Sequence, residues 1–161
     1  IFVSLDTSGN TLKEIVKGEI KPDLIKPNET EIKDIIEKEF PENEEEIRKI
    51  FDKSPLKDIP YVIISQGKDG AIFKIKNKIY KAIVPKVKAI NPVGSGDSTL
   101  AGALSAIYNK EDDEDFIKKS MTCGLLNVLN EEIAHININD FDKYKEKIEI
   151  KELIWKFQKK N

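Results

Sequence analysis

The chain is poor in the residues that build thiol and metal chemistry. It has one cysteine, Cys123, and one histidine, His135, among 161 residues. A single cysteine excludes an internal disulfide and is typical of a reducing compartment, so we expect a cytoplasmic protein. Cys123 lies in an apolar run, which predicts a buried, inert thiol. A single histidine argues against a histidine-based metal site and against a Ser-His-Asp triad.

The chain also lacks a charge excess and a long apolar run. Its 27 Lys+Arg and 29 Asp+Glu residues leave a net charge of -2, so we expect no nucleic-acid partner. No stretch approaches the roughly 20 apolar residues of a membrane-spanning helix, so we expect no membrane partner. The length suffices for one domain with a real core. The chain opens on an apolar run without an initiator Met, so we expect part of a longer protein.

Apolar residues alternate along the chain between strand spacing and helix spacing. Strands are predicted at residues 1–5, 23–25, 61–65, 71–75 and 78–82, followed by an extended run at 83–90. Helices are predicted around residues 12–17 and at 29–40, 44–51, 100–106, 116–129 and 140–147. This alternation favours an α/β fold with a mainly parallel sheet, whose ligands bind at the carboxyl ends of strands. Trp155 and Phe157 lie in a Lys-rich tail, where packing and fraying both fit the sequence.

A glycine loop at residues 91–99 organises the rest of the chain. The extended run leads into it and a small-residue helix leads out, which is the layout that presents unpaired N–H groups to an anion. Gly94 and Gly96 allow close approach of a ligand. The carboxylate of Asp97 would repel a bound phosphate, so it needs another role, such as taking a proton from an attacking hydroxyl.

A plain structural explanation of the same loop stays open at this point. The pattern also fits a tight turn in which Asp97 or Ser98 caps the helix. Two phosphate-binding motifs are excluded, because no Lys follows the second glycine and no third glycine stands at the required spacing.

Three motifs in order resemble those of the PfkB (ribokinase-like) carbohydrate kinases. Residues 91–97 resemble the second family signature, Asp-Thr-x-Gly-Ala-Gly-Asp. Residues 26–31 resemble its Asn-x-x-Glu motif, and residues 65–71 its phosphate-contacting Ser/Thr-Leu-Gly-x-x-Gly-Ala loop. The resemblance implies a three-layer α/β/α fold with a mainly parallel sheet. It also implies that residues 1–161 are only the carboxyl-terminal, nucleotide-binding part of one kinase domain, without the substrate and lid portion.

The resemblance implies roles for particular residues. Asp97 would be the base, and the backbone of Gly94, Ser95 and Gly96 would form the anion hole. Glu31 and Asn28 would hold Mg²⁺ through water, since that ion keeps much of its hydration. Nucleotide contacts are implied for ten residues: Lys26, Asn28, Ser65, Gly67, Asp69, Gly70, Ala89, Met121, Leu125 and Asn127. The implied partners are ATP and a sugar phosphate, with a homodimer in the full-length enzyme.

Each of these roles has a structural alternative. Asn28 and Glu31 also have the spacing of a capping box. Lys26 could be a surface lysine, and Gly67 and Gly70 could serve turn geometry alone. Met121 and Leu125, four apart on a helix, also fit a core.

Within the family, the glycine loop and residues 124–127, 135–137 and 150–153 look like those of the tagatose-6-phosphate kinases, a group active in lactose and galactose metabolism. The 1-phosphofructokinases are the alternative, and a nucleotide-binding module without turnover is a third reading. Ala134 departs from this pattern, because close relatives usually carry glycine there.

Overall fold

A computed structural model of the chain describes residues 1–154, and the predictions on Trp155 and Phe157 lie outside this range. Six strands are found within it: β1 (Ser4–Leu5), β2 (Leu24–Ile25), β3 (Tyr61–Ser65), β4 (Ala71–Ile75), β5 (Lys78–Ile83) and β6 (Glu149–Glu152). Six helices accompany them: α1 (Gly9–Lys17), α2 (Glu29–Ile36), α3 (Glu44–Lys53), α4 (Ser95–Tyr108), α5 (Asp113–Val128) and α6 (Phe141–Lys145). Short 3-10 turns occur at Pro55–Asp58, Gly67–Asp69 and Ile138–Asp140.

The six strands form one sheet in the order β1-β2-β3-β4-β5-β6. Strands β1, β2 and β3 are parallel, with Leu5 opposite Ile25 and Ile25 opposite Val62. The connections on either side of β4 are too short for a parallel crossover, so β4 runs against β3 and β5 runs with β3 again. The predicted α/β fold with a mainly parallel sheet is therefore confirmed.

The chain divides into two compact units. Among the described residues, the first contains Ile1–Ile64, Phe73–Tyr80 and 152–154, and the second contains Ser65–Ile72 and Lys81–Lys151. No helix within residues 1–154 has both the length and the apolar character needed to cross a membrane.

The core of the first unit joins the central strand β3 to one face of each of the helices α1, α2 and α3. Residues Val62, Ile63 and Ile64 are all fully buried, as the continuous apolar run predicts. The helical residues that pack inward are Leu12, Val16, Ile32, Ile35, Ile47, Ile50 and Phe51. Burial of each large aliphatic side chain contributes about 1.5–3 kcal/mol, so these three helix faces hold the unit together.

The core of the second unit is the antiparallel helix pair α4 and α5, whose contact depends on small residues. A Cβ at Gly102 would lie 2.9 Å from the Lys119 carbonyl oxygen and 3.0 Å from Cys123 Sγ. A Cβ at Gly124 would lie 2.2 Å from Thr99 Oγ1. The two helices therefore approach so closely that only glycine fits at both positions. Cys123 is buried, as predicted, and this burial raises the pKa of its thiol.

The prediction that the second helix runs to Phe40 is wrong. Helix α2 ends at Ile36, because Glu37 takes a left-handed backbone conformation with φ 58°. The Glu37 carboxylate lies 2.9 Å from Lys17 Nζ and 3.1 Å from Lys13 Nζ. Glu37 thus pairs with another helix at this turn, and these exposed contacts leave no trace in the periodicity of the α2 sequence.

Three further strand predictions need correction. Residues 84–90 form no regular element, since Pro85 has no N–H to donate to a sheet and Ile90 N donates instead to Val128 O at 2.9 Å. Strand β1 covers only Ser4–Leu5 of the predicted residues 1–5. Strand β6 is absent from the predictions, because its Glu-Ile-Lys-Glu sequence has little apolar character.

Strand β4 departs from the alternation that its sequence suggests, because Lys74 is buried. The Lys74 ammonium donates to the Lys57 carbonyl oxygen at 3.0 Å and also to that of Ile59. Burial lowers the pKa of Lys74. The ammonium thus satisfies carbonyls at the end of the Pro55–Asp58 turn, which have no partner inside that turn.

Candidate active site

The glycine loop leads directly into helix α4, as its sequence predicts. Gly94 is the N-cap, with φ 81°, and Asp97 is the third residue of the helix, with an exposed side chain. The structure therefore does not use Asp97 or Ser98 as the cap. A Cβ at position 94 would lie 2.9 Å from Ile133 Cγ2 and 3.1 Å from Ala134 N, so both φ and space require glycine.

The first turn of α4 directs backbone N–H groups out of the helix end. Ser95 N donates to Pro92 O at 3.2 Å, and Ser98 N donates to Gly94 O at 2.9 Å. The N–H groups of Gly96 and Asp97 lie between them, in the turn where a helix provides no acceptor of its own. Such groups, aligned with the helix dipole, suit an anion, and the Asp97 carboxylate lies in the same turn.

The end of helix α5 is hydrogen-bonded to the glycine loop. Asn127, which is fully buried near the end of α5, donates from Nδ2 to the Val93 carbonyl oxygen at 2.8 Å. Its Oδ1 lies 3.4 Å from Ser98 Oγ, which donates to it. Backbone bonds reinforce this contact, since Ile90 N and Asn91 N both donate to the Val128 carbonyl oxygen.

The residues predicted to line a nucleotide pocket differ in their exposure. Ala89 is exposed, in the irregular segment before the glycine loop. Met121 and Leu125 are buried on α5, with 7% and 6% of their surface exposed. Their core position matches the structural alternative, and a role at the edge of a nucleotide site stays a prediction for all three.

The loop after strand β3 folds into a 3-10 turn, Gly67–Asp69. Gly67 begins this turn and Gly70 directly follows it, and both have positive φ. Gly70, with φ 99°, is the constrained position, since a Cβ there would lie 2.0 Å from the Ala82 carbonyl oxygen. Gln66 N donates to Gly70 O at 2.9 Å and closes the loop. The side chain of Asp69 is exposed and that of Ser65 is half-buried, so both face the surface at this strand end.

The segment after strand β2 belongs to the first unit and carries the Asn-x-x-Glu motif. Asn28 caps helix α2, and Glu31 N donates to Asn28 Oδ1 at 2.9 Å. Asn28 N in turn donates to Glu31 Oε2 at 2.9 Å, which completes a capping box. The structural alternative for this pair is therefore present in the molecule. One carboxylate oxygen of Glu31 takes no part in the box, so a further role of this side chain is compatible with it.

The side chains of Glu31 and Asn28 could serve as the protein ligands of Mg²⁺. Within residues 1–154, no group of three or more His, Cys, Asp or Glu side chains could hold a metal ion. Mg²⁺ in phosphoryl-transfer sites commonly uses only one or two carboxylates, with water and substrate phosphates as its other ligands. Glu31 and Asn28 are exposed or half-buried and carry oxygen donors, so they fit such an ion.

Lys26 has a partner that sequence reasoning missed. Its side chain is only 10% exposed, and its Nζ lies 4.0 Å from Asp6 Oδ1. Asp6 and Lys26 directly follow the paired residues Leu5 and Ile25 of the parallel strands β1 and β2. The parallel register is the signal that could have found Asp6, because the residues after paired strand ends share one sheet edge.

The comparisons with known proteins identify the class. The sequence profile described as pfkB family carbohydrate kinase matches residues 1–138. The chain therefore belongs to the PfkB family of carbohydrate kinases. A curated relative, the tagatose-6-phosphate kinase of Staphylococcus epidermidis strain RP62A, is 36% identical over 153 residues. The match covers 95% of this chain and 49% of that relative, so the chain spans about half the length of its curated relatives.

Solved structures agree on the fold. A protein from Staphylococcus aureus assigned as a phosphofructokinase superposes with a TM-score of 0.81 and 26% identity, over 94% of this chain and 48% of that one. Ribokinase from Thermotoga maritima superposes with a TM-score of 0.62 and 20% identity, over 78% of this chain and 42% of that one. The chain thus has the ribokinase-like fold.

Proposed function

We propose that the protein is an ATP-dependent kinase that transfers the γ-phosphoryl group of ATP to a primary hydroxyl of tagatose 6-phosphate, giving tagatose 1,6-bisphosphate. The observation that carries this proposal is the exposed Asp97 carboxylate in the first turn of α4, a turn in which a helix offers no acceptor to the N–H groups of Gly96 and Asp97. The identity with tagatose-6-phosphate kinase supports the choice of substrate. The kinase activity itself rests on family membership.

The proposed chemistry assigns the proton transfer to Asp97. Its carboxylate accepts the proton of the sugar hydroxyl while that oxygen bonds to the γ-phosphorus. The bond from the γ-phosphorus to the bridging oxygen breaks, and ADP leaves with the electron pair. The N–H groups of Gly94, Ser95 and Gly96 are proposed to stabilise charge on the transferred group, as the loop geometry allows for Gly96 above all. Phosphoryl transfer depends on positioning and charge neutralisation more than on covalent chemistry by the protein.

The remaining predicted residues are proposed to hold the nucleotide. Lys26 and the loop from Ser65 to Gly70, including Gly67 and Asp69, would contact its phosphates. Ala89, Met121 and Leu125 would line its pocket, and Asn127, which was predicted to close it, lies buried beneath the glycine loop. Glu31, with Asn28, would hold Mg²⁺, which neutralises phosphate charge when it is bound.

The extent of the chain is also part of the proposal. Residues 1–161 would form the carboxyl-terminal, nucleotide-binding part of one kinase domain, since the chain spans about half of its relatives. The sugar-binding residues would then come from the rest of the protein, and the whole enzyme would be a homodimer. A cytoplasmic location and a role in lactose or galactose metabolism stay predictions.

The test is turnover by the full-length protein carrying Asp97→Asn. Loss of the base is expected to lower kcat by at least about a hundredfold, within the range for general-base catalysis, while ATP still binds. Asp142→Asn is the matched control, because it makes the same change in the first turn of another helix, α6. Turnover by Asp97→Asn equal to that of the control would remove Asp97 from the mechanism.

One alternative substrate has its own support. The similarity to the S. aureus structure assigned as a phosphofructokinase supports a fructose phosphate as substrate, and the resemblance of the sequence makes a 1-phosphofructokinase the alternative. Tagatose 6-phosphate and fructose 1-phosphate should be compared by kcat/KM with the same preparation. A preference for fructose 1-phosphate would transfer the proposal to that enzyme class. Calorimetric binding of ATP with Mg²⁺ but no turnover on any sugar phosphate would leave a nucleotide-binding module.

A further inference from the structure

One buried side chain contacts both ends of the glycine loop. Asn127 Nδ2 donates to the carbonyl oxygen of Val93, the residue just before the Gly94 cap, at 2.8 Å. Asn127 Oδ1 accepts from Ser98, the residue just after Asp97, at 3.4 Å. A Cβ at Gly94 would lie 3.4 Å from the same Oδ1. The amide of Asn127 thus spans the four residues assigned to the anion hole and the base.

The burial of Asn127 gives these contacts their weight. The side chain is 0% exposed, so no water replaces a lost partner. An amide left unpaired inside a protein costs about 1–3 kcal/mol, which strongly favours the one arrangement in which Nδ2 meets Val93 O. The direction of the Val93 carbonyl, and with it the start of α4, is therefore coupled to the end of α5.

The exposed side of the same loop is held by a second asparagine amide. Asn91 Nδ2 donates to the Glu131 carbonyl oxygen at 3.0 Å, and Val93 N donates to Asn91 Oδ1 at 3.0 Å. The backbone of Val93, the residue before Gly94, is thereby fixed at its carbonyl by Asn127 and at its N–H by Asn91. One amide joins the loop to the end of α5 and the other joins it to Glu131 just after α5, so the loop has little freedom to rotate.

We infer that Asn127 is a positioning residue, which orients the Gly94–Asp97 backbone and carboxylate through Val93 and Ser98 rather than by touching the nucleotide. This inference rests on the proposed kinase function for its catalytic consequence. Its structural content, the coupling of Asn127 to the first turn of α4, does not depend on that function.

The test replaces the amide in the full-length protein by a group that cannot donate. Asn127→Asp has the same shape, and its ionised carboxylate offers only acceptors to the Val93 carbonyl; because burial favours the protonated form, which can donate, the variant is assayed as the pH is raised. Misplacing a catalytic group by about 1 Å costs up to about a hundredfold in rate, so kcat is expected to fall about tenfold to a hundredfold. The KM for ATP is expected to stay within about threefold, because the binding contacts remain.

Asn130→Asp is the matched control on the same helix end. Asn130 Nδ2 also donates to a backbone carbonyl at 2.8 Å, but this carbonyl belongs to Leu126 and not to the glycine loop. The control is expected to keep both kcat and KM. If Asn127→Asp instead raises the KM for ATP with kcat unchanged, Asn127 is a nucleotide contact and the inference is overturned.

Amide hydrogen exchange without nucleotide separates the inference from the proposed function. Faster exchange at Ser95 and Ser98 is expected in Asn127→Asp, and unchanged exchange is expected in Asn130→Asp. If the wild type has no turnover, the kinase proposal fails and this exchange result still decides the inference. Should Asn127→Asp not fold, Ser98→Ala takes its place, with a smaller change in the same direction. No change in exchange for the folded variant overturns the inference.

Discussion

At the scale of single residues, Ala134 holds a backbone conformation that glycine adopts far more readily. Its φ is 57°, in the left-handed region. Its N atom would lie 3.1 Å from a Cβ at Gly94, so the segment after α5 forms a wall of the glycine loop. Alanine thus replaces the expected glycine at a position where its Cβ disfavours the left-handed φ.

Ala134→Gly is expected to stabilise the protein. The left-handed conformation costs an L-residue about 1–2 kcal/mol, whereas glycine adds about 0.5–1 kcal/mol of chain entropy loss, so the net gain is up to about 1.5 kcal/mol. Urea unfolding measures it. Ala101→Gly, at an exposed position inside α4, is the control and should destabilise by about 1 kcal/mol. A loss of stability in both variants would contradict the assignment of strain to Ala134.

Individual contacts were predictable from sequence only where they are local in the chain. The capping box of Asn28 and Glu31 was open to prediction, because both residues lie within one helix turn. The contact between Asn127 and Val93 was not, since it joins residues 34 positions apart. The same holds for Lys26 and Asp6, which only the strand register brings together.

At the scale of elements, the close approach of α4 and α5 connects the core of the second unit to the candidate site. Gly124 on α5 faces Thr99 and the Ser95 carbonyl oxygen, which would be 2.2 Å and 3.1 Å from a Cβ at position 124. Ser95 is the first residue of α4. A change in the spacing of the two helices therefore reaches the turn that carries Asp97.

Gly124→Ala is expected to destabilise the protein by about 1–3 kcal/mol, as overpacking does in well-packed cores. Thr99→Ala removes the closest clashing atom, so the double variant should recover part of the loss. Thermal unfolding of the two single variants and the double variant gives the coupling energy. Additive losses would show that Gly124 is needed for some reason other than its contact with Thr99.

Elements with a strong internal signal were predicted well. Strand β3 has the predicted bounds because its run of apolar residues is buried on both faces. Helix α3 was recognised from its apolar face, and its N-cap Asn43 accepts from Glu45 N and Glu46 N. The end of α2 was not predicted, because the apolar spacing continues to Phe40 while the left-handed conformation of Glu37 ends the helix. Strand β6 was missed because backbone pairing, not apolar pattern, defines a charged edge strand.

At the scale of the whole molecule, several carboxylates are held charged by lysines. Hydrogen bonds from Lys17 and Lys13 lower the pKa of Glu37 from 4.5 to about 2. A hydrogen bond from Lys49 lowers the pKa of Glu46, and one from Lys145 lowers that of Asp115. The unfolded chain binds more protons than the folded one between these values, so the free energy of unfolding rises with pH in this range.

The melting temperature is therefore expected to fall as the pH is lowered from about 4.5 to about 2, where the Glu37 pair is lost. Glu37→Gln should flatten this fall, because glutamine has no proton to bind. Glu42→Gln, at another exposed glutamate, is the control and should keep the wild-type pH profile. Equal slopes in Glu37→Gln and wild type would show that the ion pairs of Glu37 do not contribute to folding.

Cys123 packs against Gly102, so the reactivity of its thiol reports on the contact between α4 and α5. Because the sequence has one cysteine, a thiol reagent can label only this residue. Its sulfur is nearly covered by α4, so a reagent reaches it only when α4 and α5 part. The rate of labelling thus measures how often the helix that bears Asp97 separates from α5. A bound nucleotide that stabilises this helix would lower the labelling rate, and no engineered probe is needed to measure it.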